Sequence, residues 1–185
     1  MKYTALAVAA ALLAGAGYAQ TTEVGQRREN QQDRIAQGVK SGQLTAGETA
    51  NLEKKESAIN QEVHTDRSLN GGKLTGQEKR IVSQQQNRMS GQIYNDKHNA
   101  AQQHYGNNKV DARRENQQDR IANGIASGKL NAGQTARLEK GQSAINQEVH
   151  TDRALNGGKL TPGERKQVNN QQNQASKKIY TAKHK

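Results

Sequence analysis

The sequence has 185 residues, with 28 Lys and Arg against 17 Asp and Glu, a net charge of +11, one Pro, and no Cys, Trp or Phe. The lack of Cys excludes disulfides, thiol nucleophiles and thiolate metal sites. Hydrophobic residues make up only 31 %, and much of that share lies in the first nineteen positions. Any fold therefore rests on a thin core, a water-excluding catalytic cleft is not expected, and composition alone is compatible with disorder.

In chain order, the first element is an export signal. Lys2 gives a positive start, Ala5 to Ala14 is an unbroken apolar run, and Gly17-Tyr18-Ala19 ends in small residues. The run falls short of the ~20 apolar residues needed to span a bilayer, and its flanks predict a secretory signal peptide over 1–19, cut after Ala19. The protein is then exported, periplasmic or secreted, with an N-terminal tail over 20–26. No later segment is apolar enough to form a transmembrane span.

The strongest feature is an internal duplication. Residues 27–99 align without gaps on 113–185 at an offset of 86, with 49 of 73 positions identical. Arg27–Ala36 recurs as Arg113–Ala122, Ser57–Arg67 as Ser143–Arg153, and Leu69–Thr75 as Leu155–Thr161. A weaker echo of about 30 residues lies inside each copy, where Ser41–Glu48 resembles Gly71–Glu78; periods of this size mark stacked supersecondary units. The predicted organisation is a first repeat at 27–98, a polar linker at 99–112 and a second repeat at 113–185.

Each repeat reads as helix, turn, helix, turn, helix. Thr45-x-x-Glu48, Thr75-x-x-Glu78 and Thr161-x-x-Glu164 are capping boxes, and Asn131-x-x-Gln134 is the same device with exchanged chemistry. Pro162 stands at a first helical position, where no N–H is needed. Ahead of the boxes lie glycines able to stop a helix: Gly42, Gly71–Gly72, Gly128 and Gly157–Gly158. Leu52, Ile59 and Val63, then Val82, Met89 and Ile93, fall on one helical face. Lys55, Glu56, Gln85 and Gln86 fill the slots between them, which predicts short, loosely packed hairpins. The fold class is all-α, a tandem duplication of a three-helix unit. Caps, stops and apolar spacing agree with one another, as they do in a foldable sequence.

The turns Ser41–Glu48 and Gly71–Glu78 resemble the second half of an EF-hand calcium loop. Gly42 or Gly72 stands for the sixth-position glycine, Leu44 or Leu74 for the eighth-position apolar residue, and Glu48 or Glu78 for the twelfth-position carboxylate. The first half of the loop departs from the pattern, with Gln37, Val39 and Ser41, or Arg67, Leu69 and Gly71, at ligand positions. A shifted loop built on Asp66, Asn70 and Glu78, repeated as Asp152, Asn156 and Glu164, supplies the oxygen chemistry for weak Ca2+ binding. Arg67, Lys73 and Arg80 lower the affinity expected there. In the other turn Glu48 is matched by Gln134, which caps but brings no carboxylate. No cofactor is required.

Five histidines occur without the i, i+4 spacing of a helical metal site; His64, His98, His150 and His184 read as exposed residues near helix ends. No Ser–His–acid set or phosphate-cradling loop appears, so the protein is read as not an enzyme. The scattered positive charge, with Tyr94, Tyr105 and Tyr180 widely spaced, points away from specific nucleic-acid binding. Outside the cell it gives solubility and weak attraction to anionic envelope polymers or membrane surfaces; a solvated face without a specific partner is the leading reading, and an anionic polymer or a protein partner is the alternative. The Leu-Thr-x-x-Glu turns also resemble the Leu-Thr-x-x-Gln motif of the small periplasmic helical chaperones of the Spy and CpxP type. That resemblance implies binding of unfolded clients, although this chain lacks the apolar surface they would need. Glycine content and hydropathy are similar to those of hydrophilins, which implies a stress-protective solute.

Overall fold

Capping sets the helix boundaries in a computed structural model that describes residues 23–184. The leader assigned to 1–19 lies outside the described residues, as do positions 20–22 of the tail. Six helices follow in order: α1 Glu23–Ser41, α2 Ala46–Leu69, α3 Gly76–Lys97, α4 Lys109–Ala126, α5 Ala132–Leu155 and α6 Pro162–Lys183. The described residues contain no strand, so the fold is all-α. None of these helices is long and apolar enough to cross a membrane.

All four expected capping boxes form. At α2, α3 and α6 the Thr45, Thr75 and Thr161 hydroxyls accept from the N3 amide, while Glu48, Glu78 and Glu164 accept from the cap amide. Asn131 and Gln134 make the same exchange at α5. Each cap contributes about 1 kcal/mol. At α4, Asn108 Oδ1 accepts from the amides of Val110 and Asp111. The six glycines expected to stop helices all have positive φ.

Two glycines inside α1 and α4 serve a different purpose. A Cβ on Gly38 would lie 2.7 Å from Leu44 Cδ1, and one on Gly124 would lie 2.6 Å from Leu130 Cδ1. Their absence lets each leucine fold back over the helix it has just left. The Leu44 and Leu130 amides then donate to the carbonyls of Gly38 and Gly124, both at 3.0 Å.

The two halves of the chain pack face to face. α2 lies against α5 and α1 against α4, while α3 covers α1 and α2 and α6 covers α4 and α5. The central core joins both halves: Ile35, Val39, Leu52 and Ile93 meet Ile121, Ile125, Leu138 and Ile179. Each fully buried Ile or Leu removes enough apolar surface to contribute about 1.5–3 kcal/mol. Two satellite clusters flank the centre. Ile59, Val63, Leu74 and Val82 form one, and Ile145, Val149, Leu160 and Val168, the residues 86 positions later, form part of the other. Across α2 and α5 the contacts exchange roles. A Cβ at Gly47 would sit 3.4 Å from Ser143 Oγ, and one at Gly133 would sit 3.2 Å from Ser57 Oγ.

The expectation of short, loosely packed hairpins is corrected. α2 and α5 each run for 24 residues, and much of the polar layer lies inside the bundle, with Glu56 and Gln86 at most 1 % exposed. It is accommodated because glutamine satisfies backbone as well as side-chain groups. Gln31 Nε2 donates to Gln86 O at 2.6 Å and Ser90 Oγ at 2.9 Å, and Gln117 Nε2 donates to Gln172 O at 2.7 Å and Ser176 Oγ at 2.8 Å. Gln86 and Gln172 in turn donate to the carbonyls of Val24 and Val110. A net hydrogen bond contributes only about 1 kcal/mol, but leaving such a group unpaired in the interior costs more. The amides therefore fix which helix faces meet.

Candidate functional site

The turn residues singled out for calcium are held mainly by capping. Asn70 Nδ2 donates to Glu78 Oε1 and Oε2 at 2.9 and 3.1 Å, and Asn156 Nδ2 makes the same pair of bonds to Glu164. The Thr75 and Thr161 amides donate to Oε2 of Glu78 and Glu164, both at 2.7 Å. These backbone bonds hold the Glu78 and Glu164 carboxyls below their ordinary range. Desolvation, then the nearby Glu78 and Glu62, push Asp66 up; Asp152 is raised in the same way beside Glu164 and Glu148. Asp66 and Asp152 thus share a neighbourhood with these acids. Even so, no group of three or more His, Cys, Asp or Glu is arranged to hold a metal among the described residues.

His98 and His184 cap the C-termini of α3 and α6. Each Nδ1 lies 2.7 Å from the carbonyl of Tyr94 or Tyr180, and each ring stacks on that tyrosine with centroids 4.2 Å apart. His64 and His150 are exposed on α2 and α5.

Three buried carboxyls lie where the two halves meet. Glu53, Glu56 and Glu139 are each 0 % exposed. Burial pushes Glu53 up to about 8, aided by the nearby Glu56 and Glu139 and moderated by the Gln32 hydrogen bond. Burial likewise takes Glu139 to about 8, against the lowering effect of Gln118. Glu56 reaches about 7 through burial, held back by Arg28. Gln32 Nε2 donates to Glu53 Oε2 at 3.1 Å and Gln118 Nε2 to Glu139 Oε2 at 2.8 Å. Sequence reasoning placed Glu56 only as an interruption of the apolar stripe and passed over Glu53 and Glu139. Glu56 stands four residues after Leu52 and three before Ile59, and that register was the available signal of burial.

The outer side of the α2–α5 pair is basic. A groove of about 820 Å³ runs between the helices, lined by Lys54, Arg137 and Lys140 together with Asn51, Gln61 and Gln147, and its lining contains no carboxylate. Lys54 and Lys140 occupy the same place on the two helices, 86 positions apart, and both are exposed.

Between α3 and α4 the chain crosses from one half to the other in an irregular, non-helical path. The Gln103 amide donates to Gly42 O at 2.8 Å, and Asn146 Nδ2 donates to Gln103 Oε1 at 2.9 Å. Arg114 Nε donates to Asn146 Oδ1 at 2.6 Å, and the Arg114 guanidinium lies 5.2 Å from the centre of the Tyr105 ring. Asp111 closes the arrangement by accepting from Arg114 and Arg153, both at 2.9 Å. Burial pushes Asp111 up, but the two arginines outweigh it and hold the carboxyl below its ordinary range. Neither this seating nor the ion pairs could be read from the sequence, because the segment has no periodicity.

No protein-family model matches the chain, and neither a curated protein nor a solved structure matches it.

Proposed function

We propose that this is a non-enzymatic, exported helical-repeat protein, a binding and scaffold module for anionic envelope polymers. We read it as a tandem duplication of a three-helix unit, joined by the segment at 99–108, since α4 takes up the last four positions of the linker expected at 99–112. The recurrence of helix bounds and hydrogen bonds at an offset of 86 supports that reading. The observation that carries the binding role is the basic groove between α2 and α5, where Lys54, Arg137 and Lys140 face solvent without a lining carboxylate. Such a strip attracts a polyanion through several weak, salt-screened contacts. The buried polar groups support a scaffold role, since the glutamine N–H groups are spent inside the bundle on backbone carbonyls and on Ser, Glu and Gln side chains.

The test is titration of the purified protein with inorganic polyphosphate at rising salt. Binding should weaken steadily with salt, and Lys54→Glu combined with Lys140→Glu should reduce affinity at least about tenfold. Affinity unchanged by the double substitution would remove the groove from the proposal.

The capped turns at Asn70–Glu78 and Asn156–Glu164 carry at most weak divalent-cation binding. A thermal melt in EDTA and then in millimolar calcium measures it. If calcium raises the midpoint, Asp66→Ala with Asp152→Ala should abolish the rise. A stress-protective role is the alternative, favoured by Leu69 and Leu155, which are 77 % and 79 % exposed. Suppressed aggregation of a reduced client at stoichiometric protein, lost in Leu69→Ser with Leu155→Ser, would replace the scaffold reading.

A further inference from the structure

The residues that hold the crossing segment occur twice. Gly42, Asn146 and Arg114 hold Gln103 and Tyr105. Their counterparts 86 positions away are Gly128, Asn60 and Arg28, identical in type. These three line a second cleft of about 390 Å³, bounded also by Gln32, Asn131 and Ala132.

The environments of the two clefts differ sharply. A Cβ on Gly42 would meet Gln103 O at 2.7 Å, whereas one on Gly128 meets nothing within 4 Å. Arg114 is buried, at 6 % exposure, while Arg28 is exposed. Gly42 and Gly128 share a turn geometry, with φ of 73° and 67°, so each presents its carbonyl from an equivalent turn. Among the described residues, no chain segment lies over the second cleft as Gln103–Tyr105 lies over the first.

We infer that the cleft at Gly128, Asn60 and Arg28 is a binding site for a non-helical peptide segment that carries an amide side chain two residues before an aromatic. The protein's own Gln103-His104-Tyr105 supplies the template. A peptide N–H donates to Gly128 O, the Asn60 amide N–H not turned to Glu56 donates to the glutamine side-chain carbonyl, and the aromatic ring lies against the Arg28 guanidinium, whose charge also attracts Glu56. Each contact is polar or cation–π, in keeping with a surface that offers little apolar area. The inference is independent of the polyanion reading, because the cleft and the α2–α5 groove have no lining residue in common.

The probe is a fluorescent synthetic peptide with the sequence of residues 99–108, titrated into the purified protein. Saturable one-to-one binding is expected, with amide NMR shifts at Gly128 and Asn60. Arg28→Ala should weaken it about fivefold, the worth of one cation–π contact, and a peptide with alanine in place of its tyrosine should lose a similar factor. Helical circular dichroism checks that the variant is folded, and Asn60→Ala gives a second reading that does not touch the arginine. Absence of saturation overturns the proposal. Shifts at Gly42 and Asn146 instead would mean that the peptide displaces the crossing segment, and would also overturn it. So would an affinity indifferent to both substitutions.

Discussion

α2 and α5 offer the same backbone to the core but put opposite hydrogen-bonding chemistry at one position. In α5, Gln142 Nε2 donates to Gln117 Oε1 at 3.2 Å. In α2 the residue 86 positions earlier is Glu56, a buried carboxyl beside Asn60 and Arg28, and Gln31 Oε1 is buried without a partner. A charged Glu56 cannot donate, so it leaves the Gln31 acceptor unsatisfied, where Gln142 satisfies the Gln117 counterpart. A protonated Glu56 can donate to Gln31 as Gln142 does to Gln117. The shift of Glu56 to about 7, caused chiefly by burial and restrained by Arg28, moves the group toward that form. The difference shows how a glutamine makes an interior layer insensitive to pH, while a glutamate at the equivalent site ties it to protons.

The comparison can be broken most severely from the α5 side. Gln142→Glu removes the donor to Gln117 and adds an acid beside the fully buried Glu139; it should cost about 2–3 kcal/mol at neutral pH in a denaturant melt. Next in size is the pH profile. Glu53, Glu56 and Glu139 all have folded values above the ordinary 4.5. The folded state therefore holds more protons than the unfolded chain over this interval. Stability is full near 4.5 and falls as pH rises to about 8, where Glu53 and Glu139 ionise. The melting midpoint should drop by at least about 5 °C across that window. In stronger acid Asp111, Glu78 and Glu164, held below their ordinary range, act in the opposite direction and stability is lost again. A midpoint that is flat or rises from mild acid to mild base would contradict the assignment of buried neutral acids.

Smaller effects sharpen the comparison. Glu56→Gln makes α2 match α5 and should stabilise by about 1 kcal/mol near neutral pH while flattening the profile. A destabilising result would mean that Glu56 stays charged and paired with Arg28. The smallest difference is expected at the first turns. Thr45→Ala and Asn131→Ala should each cost about 1 kcal/mol, and their costs should agree within about 0.5 kcal/mol, because both caps make the same exchange despite Glu48 being matched by Gln134. Equilibrium denaturation of the two variants gives both numbers.

What was legible in the sequence was local. Thr45, Thr75, Asn131 and Thr161 announced their helices through residues three positions away, and Gly42 and Gly128 announced their turns. Leu52, Ile59 and Val63 announced a buried face by spacing. The packing of α2 on α5 was not legible. It depends on Gly47 meeting Ser143 and Ser57 meeting Gly133, residues 96 and 76 positions apart and too small to register as a pattern. Glu56 was read only as an interruption of the stripe, and Glu53 and Glu139 were passed over, for the same reason. Charge predicts exposure unless a partner across the core is known, and Gln32 and Gln118 lie on other helices. In the turn sites Asn70 lies beside Glu78 and Asn156 beside Glu164, and their hydrogen bonds serve the cap.

Gly47 with Ser143, and Gly133 with Ser57, form an isologous contact, in which residue i meets residue j and the copy of j meets the copy of i. Two-fold homodimers bind one another in this way. Here both partners belong to one polypeptide, and the ten residues from Asn99 to Asn108 act as the tether. Association of the two faces is therefore unimolecular, at an effective concentration set by the tether and not by the solution. A thin, polar core that would come apart on dilution as separate subunits is held together at any protein concentration.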